Sequence, residues 1–182
     1  MSEKKTEKVY WYILFVKTGS EERIADQLKR ILDMENHLPF VPRKTCVFRR
    51  QGKKSLFQKI CFPGYVFIES IMPEKDFQTN TFSTIYRIKD TYRFLGYENK
   101  NDIAMRQDEI TRIRSILNYD RCIDISTGYK EGDSVRIIEG SLVGQESKIL
   151  RISKNKKDAI IALSIFGRIA EVSVGLDIIE KF

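Results

Sequence analysis

The stretch VYWYILFVKTG, residues 9–19, decides the fold, because aromatic and branched apolar residues follow one another through nearly its whole length. Successive side chains of a strand point to opposite faces of its sheet. The alternation places Tyr10, Tyr12, Leu14 and Val16 on one face and Trp11, Ile13, Phe15 and Lys17 on the other. Both faces are predominantly apolar, so we predict a central strand with a covering layer on each side.

A helix is predicted directly after this strand. Gly19 ends the apolar run, Ser20 suits the N-cap position, and acidic residues occupy the first turn. An apolar stripe at helical spacing follows, made of Ile24, Leu28, Ile31 and Leu32. We interpret this stripe as core, because it has the width of one helix face that packs on a sheet.

The stretch ICFPGYVFIES, residues 60–70, adds a strand with an interruption. Proline donates no hydrogen bond to a neighbouring strand, and glycine within a strand marks a bend or a close approach. We therefore predict one bent strand, with Tyr65, Phe67 and Glu69 on one face. The residues before it predict a hairpin with a cationic tip, which carries Arg49, Arg50, Lys53 and Lys54 around Gly52.

The remaining elements predict two domains of different structural class. A short helix from Pro73, the strand TYRFLGY and the helix MRQDEITRIRSIL give the order β-α-β-β-α-β-α, which predicts an α+β domain with an antiparallel sheet. From Asn118 a polar segment leads into SVRII, ESKILRIS, AIIALSIFG and IAEVSV, short strands that predict a small all-β barrel of SH3-like type. We predict a first domain over residues 1–117, a linker over 118–129 and a second domain over 130–182.

The net charge of +7 is unevenly distributed. Residues 1–127 carry +6 of it, with 23 Lys and Arg against 17 Asp and Glu. A polyanionic partner is therefore expected for this part of the chain, the alternative being a basic surface that serves only solubility.

Several classes of function are disfavoured by the sequence. There is no run of about 18 apolar residues, so no membrane helix is expected. The charged start MSEKKTEKV lacks an apolar signal segment, which predicts a cytoplasmic protein. Cys46, Cys61 and Cys122 lack metal-ligand spacing and are expected to be reduced packing residues, and His37 is the single histidine. We expect neither an enzyme nor a metal or other cofactor.

Five blocks of sequence occur in a recognisable order: WYILFVKTGSEERIADQL, FPGYVFIE, RFLGYENK, GDSVRIIEGSLVGQESKI and SIFGR. This succession resembles the NusG family of transcription elongation factors and covers nearly the whole chain. The resemblance implies an amino-terminal NGN domain of α+β fold, a linker, and a carboxyl-terminal KOW barrel. It also implies a monomer that acts without catalysis.

In that family the NGN domain binds the clamp helices of RNA polymerase through a hydrophobic pocket on its sheet. The resemblance places Trp11, Phe15, Phe62, Pro63, Tyr65 and Phe67 in this pocket. The alternative is that these rings pack only against the helices of their own domain.

The resemblance also implies contacts with nucleic acid. Lys17, Gln27 and Arg30 match positions where specialised relatives such as RfaH contact non-template DNA, with a solvated helix face as the alternative. The hairpin tip Arg49–Lys54 matches a segment that reaches upstream DNA. The basic composition resembles the LoaP paralogues, which implies processive antitermination of long operons and recruitment by a hairpin in nascent leader RNA. The candidate RNA contacts are Arg106, Arg112, Arg114, Arg121, Lys148, Arg151, Lys154, Lys156 and Lys157.

The KOW domain of the family recruits either the ribosomal protein NusE or the termination factor Rho. The matching positions here are Phe166 and Arg168, and strand alternation predicts that Phe166 is exposed while Leu163 and Ile165 point inward. Two alternatives stay open: a housekeeping elongation and termination factor of the NusG type, and a ribosomal-type KOW protein that binds RNA. A ribosomal protein would lack the clamp-binding rings.

Overall fold

The computed structural model describes residues 8–50, 53–98, 102–132, 134–153 and 158–179, and for residues 48–50, 53 and 54 it describes the backbone alone. The chain forms two compact units. The first unit combines Met1–Val41 with Pro63–Gln107, and the second unit combines Pro42–Phe62 with Asp108–Phe182.

The helices and strands follow one another in this order: β1 (Tyr10–Val16), α1 (Glu21–Ile31), β2 (His37–Phe40), β3 (Arg43–Arg50), β4 (Lys53–Ile60), β5 (Tyr65–Ser70), α2 (Glu74–Ile85), β6 (Thr91–Phe94), α3 (Gln107–Arg114), β7 (Cys122–Ile123), β8 (Ser126–Glu131), β9 (Ser134–Glu139), β10 (Ile149–Ser153), β11 (Asp158–Ile165) and β12 (Arg168–Ile179). A single turn of 3-10 helix, Glu146–Lys148, precedes β10. None of the helices in the described ranges has the length and apolar character needed to span a bilayer.

The first unit is built on an antiparallel sheet with the strand order β2-β5-β1-β6. Strand β1 is internal, as its two apolar faces predict. One face contributes Tyr12, Leu14 and Val16 to a core that includes residues of α1 and α2. The Tyr12 ring lies parallel to the ring of Phe77, with centroids 3.8 Å apart.

Some local expectations in the first unit are wrong. Ile31, predicted in the core, is 45% exposed, because α1 ends at this residue and the buried stripe is completed by Ala25 instead. Ser20 precedes the helix but makes no side-chain cap. Strand β2 was not predicted, since it is short and contains Pro39, a residue that disfavours central strands.

The Pro-Gly pair separates two strands rather than bending one. Strand β4 ends at Ile60 and pairs with β3, whereas β5 begins at Tyr65 and pairs with β1 and β2. Gly64 has φ of +87°, a conformation that glycine adopts at little cost. Its N–H donates to Glu21 Oε1 at 2.6 Å, which fixes the turn to the start of α1.

The second unit contains two sheets. In one, β3 pairs with β4 as the predicted hairpin and with β7 in parallel. In the other, the order is β10-β11-β12-β8-β9, with a parallel pair between β12 and β8. The Glu109 carboxylate of α3 accepts hydrogen bonds from Ser164 Oγ (2.6 Å) and from the Gly167 N–H (2.9 Å), which joins the helix to the turn between β11 and β12.

The fold class is confirmed: an antiparallel sheet with helices precedes a small β domain built on a five-stranded sheet. The segment 118–129, predicted as a linker, contains β7 and the first residues of β8. The division into domains 1–117 and 130–182 stays a prediction, because contacts within one arrangement of the chain do not show which segments fold independently.

Candidate functional site

The first-unit sheet has a second face, opposite the core helices, which we call the outward face. Strand register places Trp11 beside Glu69, Ile13 beside Phe67, and Phe15 beside Tyr65. Residues directly opposite one another in register share a face of the sheet. Five of these six side chains are apolar or aromatic, which is typical of a sheet face that packs against other residues rather than facing solvent.

Three rings form an interlocked group on the outward face. The Trp11 centroid lies 5.3 Å from that of Phe40 and 5.9 Å from that of Phe67, both in edge-to-face geometry. Phe40 and Phe67 are 5.5 Å apart. The indole N–H donates to Glu69 Oε2 at 2.8 Å, so the polar atom of Trp11 is satisfied. Trp11 and Phe67 are buried, and the group forms a rigid base.

A second group, which we call the edge cluster, consists of Phe15, Tyr65 and Tyr92. The Phe15 centroid lies 5.5 Å from that of Tyr65 and 5.1 Å from that of Tyr92. Phe15 and Tyr65 are half-buried, while Tyr92 is 53% exposed. The edge cluster is thus the part of this aromatic surface that is accessible to a partner.

The six residues predicted to bind polymerase fall into different surroundings. Trp11 and Phe67 belong to the buried base, Phe15 and Tyr65 to the edge cluster, and Pro63 is exposed. Phe62 is buried and belongs to the second unit. Sequence reasoning missed Phe40 and Tyr92. Their aromatic character was visible, but the strand partners that bring them to Trp11 and Phe15 were not.

The predicted DNA-contacting residues of the first unit lie at the end of β1 and on α1. Lys17 and Arg30 are exposed, and Gln27 accepts a hydrogen bond from Arg23 Nη1 at 3.1 Å. Arg23, which was not predicted, also forms an ion pair with Asp90 at 2.6 Å. Arg23 therefore holds the Gln27 side chain in place, and the Asp90 carboxylate partly neutralises the charge of Arg23.

The predicted nucleic-acid contacts of the second unit are dispersed. Strand register pairs Arg49 with Lys54 and Arg50 with Lys53 at the end of the hairpin, where only the backbone is described. Arg112 pairs with Asp108 at 3.1 Å and Arg151 with Glu171 at 2.9 Å, all at exposed positions. Exposed pairs of this kind are weak and leave the cations available to phosphate.

Other predicted cations differ in their surroundings. Burial lowers the pKa of Lys148, and the charge of Arg112 lowers it further, so these two cations lie within electrostatic reach of each other. Arg114 is exposed, and Arg121 has φ of +60° in the turn before β7. Lys154, Lys156 and Lys157 lie outside the described residues.

The predicted exposure of Phe166 is wrong. Its side chain is only 6% exposed, because the residue lies in the turn between β11 and β12 with φ of +51°, where strand alternation no longer applies. Arg168, the other predicted partner-binding residue, is exposed at the start of β12. Of the two, Arg168 alone is accessible in this structure.

Two of the three cysteines, Cys61 and Cys122, and the histidine are buried, whereas Cys46 is half-buried. Cys46, Cys61 and Cys122 are free thiols, and burial raises the pKa of Cys61 to about 12, which keeps it protonated. His37 is 4% exposed and lies edge-on to Phe77, with ring centroids 5.6 Å apart. The described ranges contain no group of three His, Cys, Asp or Glu side chains that could hold a metal ion.

Known proteins resemble this chain along most of its length. It is 27% identical to the transcription termination/antitermination protein NusG of Treponema pallidum (strain Nichols) over 180 residues, 93% of this chain and 97% of that one. It is 25% identical to the protein of the same name from Thermus thermophilus over 178 residues, 93% and 95% of the two chains. A solved structure of Thermotoga maritima NusG, which concerns a domain interaction, covers 92% of this chain and 94% of its own, with 20% identity and a TM-score of 0.44.

The family model described as transcription termination factor nusG matches residues 9–114, which include the outward face, the edge cluster and the helices α1, α2 and α3. This match spans more than half of the 182 residues. The chain therefore belongs to the NusG family of transcription termination factors.

Proposed function

We propose that this chain is a transcription elongation and antitermination factor that binds RNA polymerase through the edge cluster on the outward face of its first-unit sheet. The observation that carries the proposal is the edge cluster on a member of the NusG family, with Tyr92 53% exposed beside the half-buried rings of Phe15 and Tyr65. Aromatic rings at the border of a packed apolar surface are typical anchors of protein interfaces.

The buried base supports this use of the edge cluster. Trp11, Phe40 and Phe67 hold one another edge to face, and the Trp11 N–H is bonded to Glu69. A surface whose side chains are already fixed loses little conformational freedom when a partner binds. The accessible rings of the edge cluster would therefore contribute most of their contact energy to the complex.

The mechanism requires no chemical step. The resemblance to family members assigns the clamp helices of the polymerase as the partner surface. A factor that binds the closed clamp more tightly than the open clamp shifts the population toward the closed form. A preference of about 1.4 kcal/mol changes the ratio of the two forms tenfold. A clamp held closed would resist the opening that pausing and termination require.

The basic surface supports a nucleic-acid partner beside the polymerase. Lys17 and Arg30 are exposed on the first unit, and Arg112, Arg114 and Arg151 on the second. Cations of this kind gain affinity by releasing counterions from phosphates. We propose that they contact non-template DNA and a hairpin in the nascent leader RNA, and that the hairpin recruits the factor for processive antitermination of long operons.

A second candidate function is general elongation and termination. The names of the relatives favour it, since both proteins are called termination/antitermination factors. In that case a carboxyl-terminal contact with NusE or Rho would involve Phe166 and Arg168. Because Phe166 is buried, such a contact would require the turn between β11 and β12 to move.

Single-round transcription with purified polymerase separates the two candidates. Each template carries an intrinsic terminator behind a leader from a long operon of the source organism, with the leader either intact or scrambled. The antitermination proposal predicts increased readthrough only with an intact leader. General elongation activity predicts equal effects on both templates and stimulation of termination when Rho is added. Unchanged readthrough and unchanged pausing on all templates would contradict both.

A further inference from the structure

A cleft of about 450 Å³ lies in the second unit between strands β9 and β10. Val135 lines it from β9, and Ile149, Leu150 and Ile152 line it from β10. Its volume falls within the range of about 300–1,000 Å³ that is typical of binding pockets. The turn between β11 and β12, which carries the predicted contacts with NusE or Rho, contributes none of the described lining residues.

The cleft is bounded by two edges of one sheet. In the strand order β10-β11-β12-β8-β9, the strands β9 and β10 are the outermost ones among the described residues. An edge strand presents backbone groups with which a further chain can pair. On β9, the N–H of Ile137 donates instead to Glu146 Oε1 at 3.3 Å. The Glu146 carboxylate therefore takes the position of a neighbouring strand's carbonyl at β9, which leaves β10 as the edge for a partner.

Both edge strands contain a β-bulge, and each bulge carries an exposed apolar side chain. Ile138 is the extra residue of β9 opposite β8, and Leu150 is the extra residue of β10 opposite β11. Ile138 is 52% exposed and Leu150 is 51% exposed. Bulges redirect side chains and are frequent beside functional sites. Branched apolar side chains at open sheet edges are typical of surfaces that another chain covers, because soluble proteins usually protect such edges with charge.

The charged side chains of the lining favour an acidic partner. Lys130 and Arg151 supply two cations, and Glu146 supplies one carboxylate, which is directed at the Ile137 N–H. Arg151 pairs with Glu171 at 2.9 Å, but both side chains are at least half exposed. An exposed pair of this kind is weak, so Arg151 can exchange Glu171 for a carboxylate of a partner.

We propose that this cleft binds an extended segment of another protein in which acidic residues alternate with branched apolar residues. The segment would add a strand to the β10 edge, with its apolar side chains on Leu150 and Ile152 and its carboxylates beside Lys130 and Arg151. In this mode of recognition the main-chain hydrogen bonds give affinity and the side-chain contacts give specificity. The inference is independent of the proposed polymerase contact, which uses the edge cluster of the first unit.

The first test is equilibrium binding of the full-length chain to a fluorescein-labelled peptide of about eight residues, in which Glu alternates with Val, long enough to pair along β10. We expect saturable binding. The same peptide with N-methyl groups on alternate residues should bind at least roughly 10-fold more weakly, because it cannot donate to a strand edge. A peptide in which Lys alternates with Val should be weakened to a similar extent, since it brings cations to Lys130 and Arg151.

Variants of the chain test the assigned surface. Leu150→Glu places a charge in the apolar part of the cleft and should weaken binding of the Glu-Val peptide roughly 10-fold or more. The matched control is Ile169→Glu on β12, where the side chain is 69% exposed and outside the described lining. It should bind as the wild type does. If Leu150→Glu alters the thermal unfolding transition, Arg151→Glu provides a second variant, which should weaken binding of the Glu-Val peptide and strengthen binding of the Lys-Val peptide.

Hydrogen exchange locates the bound peptide. A saturating concentration of the Glu-Val peptide should slow exchange in β10 and leave β4, an edge strand of the other sheet in this unit, unchanged. No binding of the Glu-Val peptide would overturn the proposal, as would equal affinity for its N-methylated form or wild-type affinity in folded Leu150→Glu. Arg151 is also a predicted RNA contact, so oligouridylate of equal charge is the competitor. Displacement of the peptide by oligouridylate, with the same loss of oligouridylate binding in Leu150→Glu, would assign the cleft to nucleic acid and would also overturn the proposal.

Discussion

Glu21 holds two loops of the first unit through its carboxylate. Its side chain is 1% exposed, and its carboxylate accepts the N–H of Gly19 at 2.7 Å and that of Gly64 at 2.6 Å. It therefore joins the end of β1 to the turn that precedes β5. Removing it leaves two N–H groups without their acceptor, of which that of Gly64 is buried and that of Gly19 is exposed.

We expect Glu21→Ala to lower the free energy of unfolding by roughly 2–3 kcal/mol, the cost of losing two charge-assisted hydrogen bonds, one of them to a buried donor. The matched control is Glu22→Ala in the same helical turn, where the side chain is exposed. That change should cost less than about 1 kcal/mol, the usual limit for a surface charge near a helix N-terminus. Urea unfolding measures both values, and equal losses would show that Glu21 has no special role.

His37 gives the fold a dependence on pH. Burial lowers its pKa, opposed by the charge of Asp33, and within the described part of the chain its Nδ1 atom has no hydrogen-bond partner. The folded state therefore binds the proton less well than the unfolded chain does. Stability should be complete above about pH 6.5, the pKa of an unperturbed histidine, and should fall as the pH drops below it.

We expect the loss of unfolding free energy between pH 7.5 and 5.5, roughly one unit on either side of that pKa, to be larger for the wild type than for His37→Leu. The variant keeps an apolar group of similar size beside Phe77 but cannot take up a proton. Chemical denaturation at the two pH values provides the comparison. An identical loss in both proteins would assign the pH dependence to the carboxylates.

At the scale of elements, the turn between α3 and β7 is the most accessible connection that the predicted linker contains. Tyr119 is fully exposed and Asp120 is exposed, whereas Cys122 and Ile123 in β7 are buried. Proteases cut exposed backbone that can adopt an extended form. Limited digestion with chymotrypsin should therefore cut first after Tyr119, within the segment 118–130.

The fragments on either side of this cut can be identified by mass spectrometry. Tyr119→Ser, which removes the cleavage site but no buried contact, is the control and should slow the first cut. First cleavage within β8 or β9 instead would show that the carboxyl-terminal strands open more readily than this turn, against the predicted domain division.

Helices and strands could be predicted from the sequence where the pattern of apolar residues was compatible with a single kind of element. Strand β1 was predictable because both of its faces are apolar, and α1 because its stripe has helical spacing. The junction of β4 and β5 was not, since a Pro-Gly pair inside an apolar run fits a bent strand as well as a break. The predicted exposure of Phe166 was wrong for a related reason. Phe166 lies in a turn with positive φ, where the strand alternation on which the prediction depended has ended.

For the molecule as a whole, the candidate site was predictable in part. Phe15, Tyr65 and Phe67 could be found because they alternate along strands that the sequence makes apparent. Phe40 and Tyr92 complete the two ring groups, yet they come from β2 and β6, whose pairing with the central strands is set by tertiary packing.

The central claim is that the edge cluster on the outward face binds RNA polymerase. The most direct measurement is the equilibrium affinity of the labelled full-length chain for purified core polymerase, with Tyr92→Ser compared with Tyr119→Ser. Both changes remove an exposed tyrosine ring, at 53% and 100% exposure, but only Tyr92 belongs to the edge cluster. Thermal unfolding of each variant establishes that it is folded.

If the edge cluster anchors the complex, Tyr92→Ser should weaken binding by roughly 30-fold, the effect of losing a contact of about 2 kcal/mol at an interface hot spot. Tyr119→Ser should bind as the wild type does. Wild-type affinity in a folded protein that carries both Tyr92→Ser and Phe15→Ala would contradict the claim.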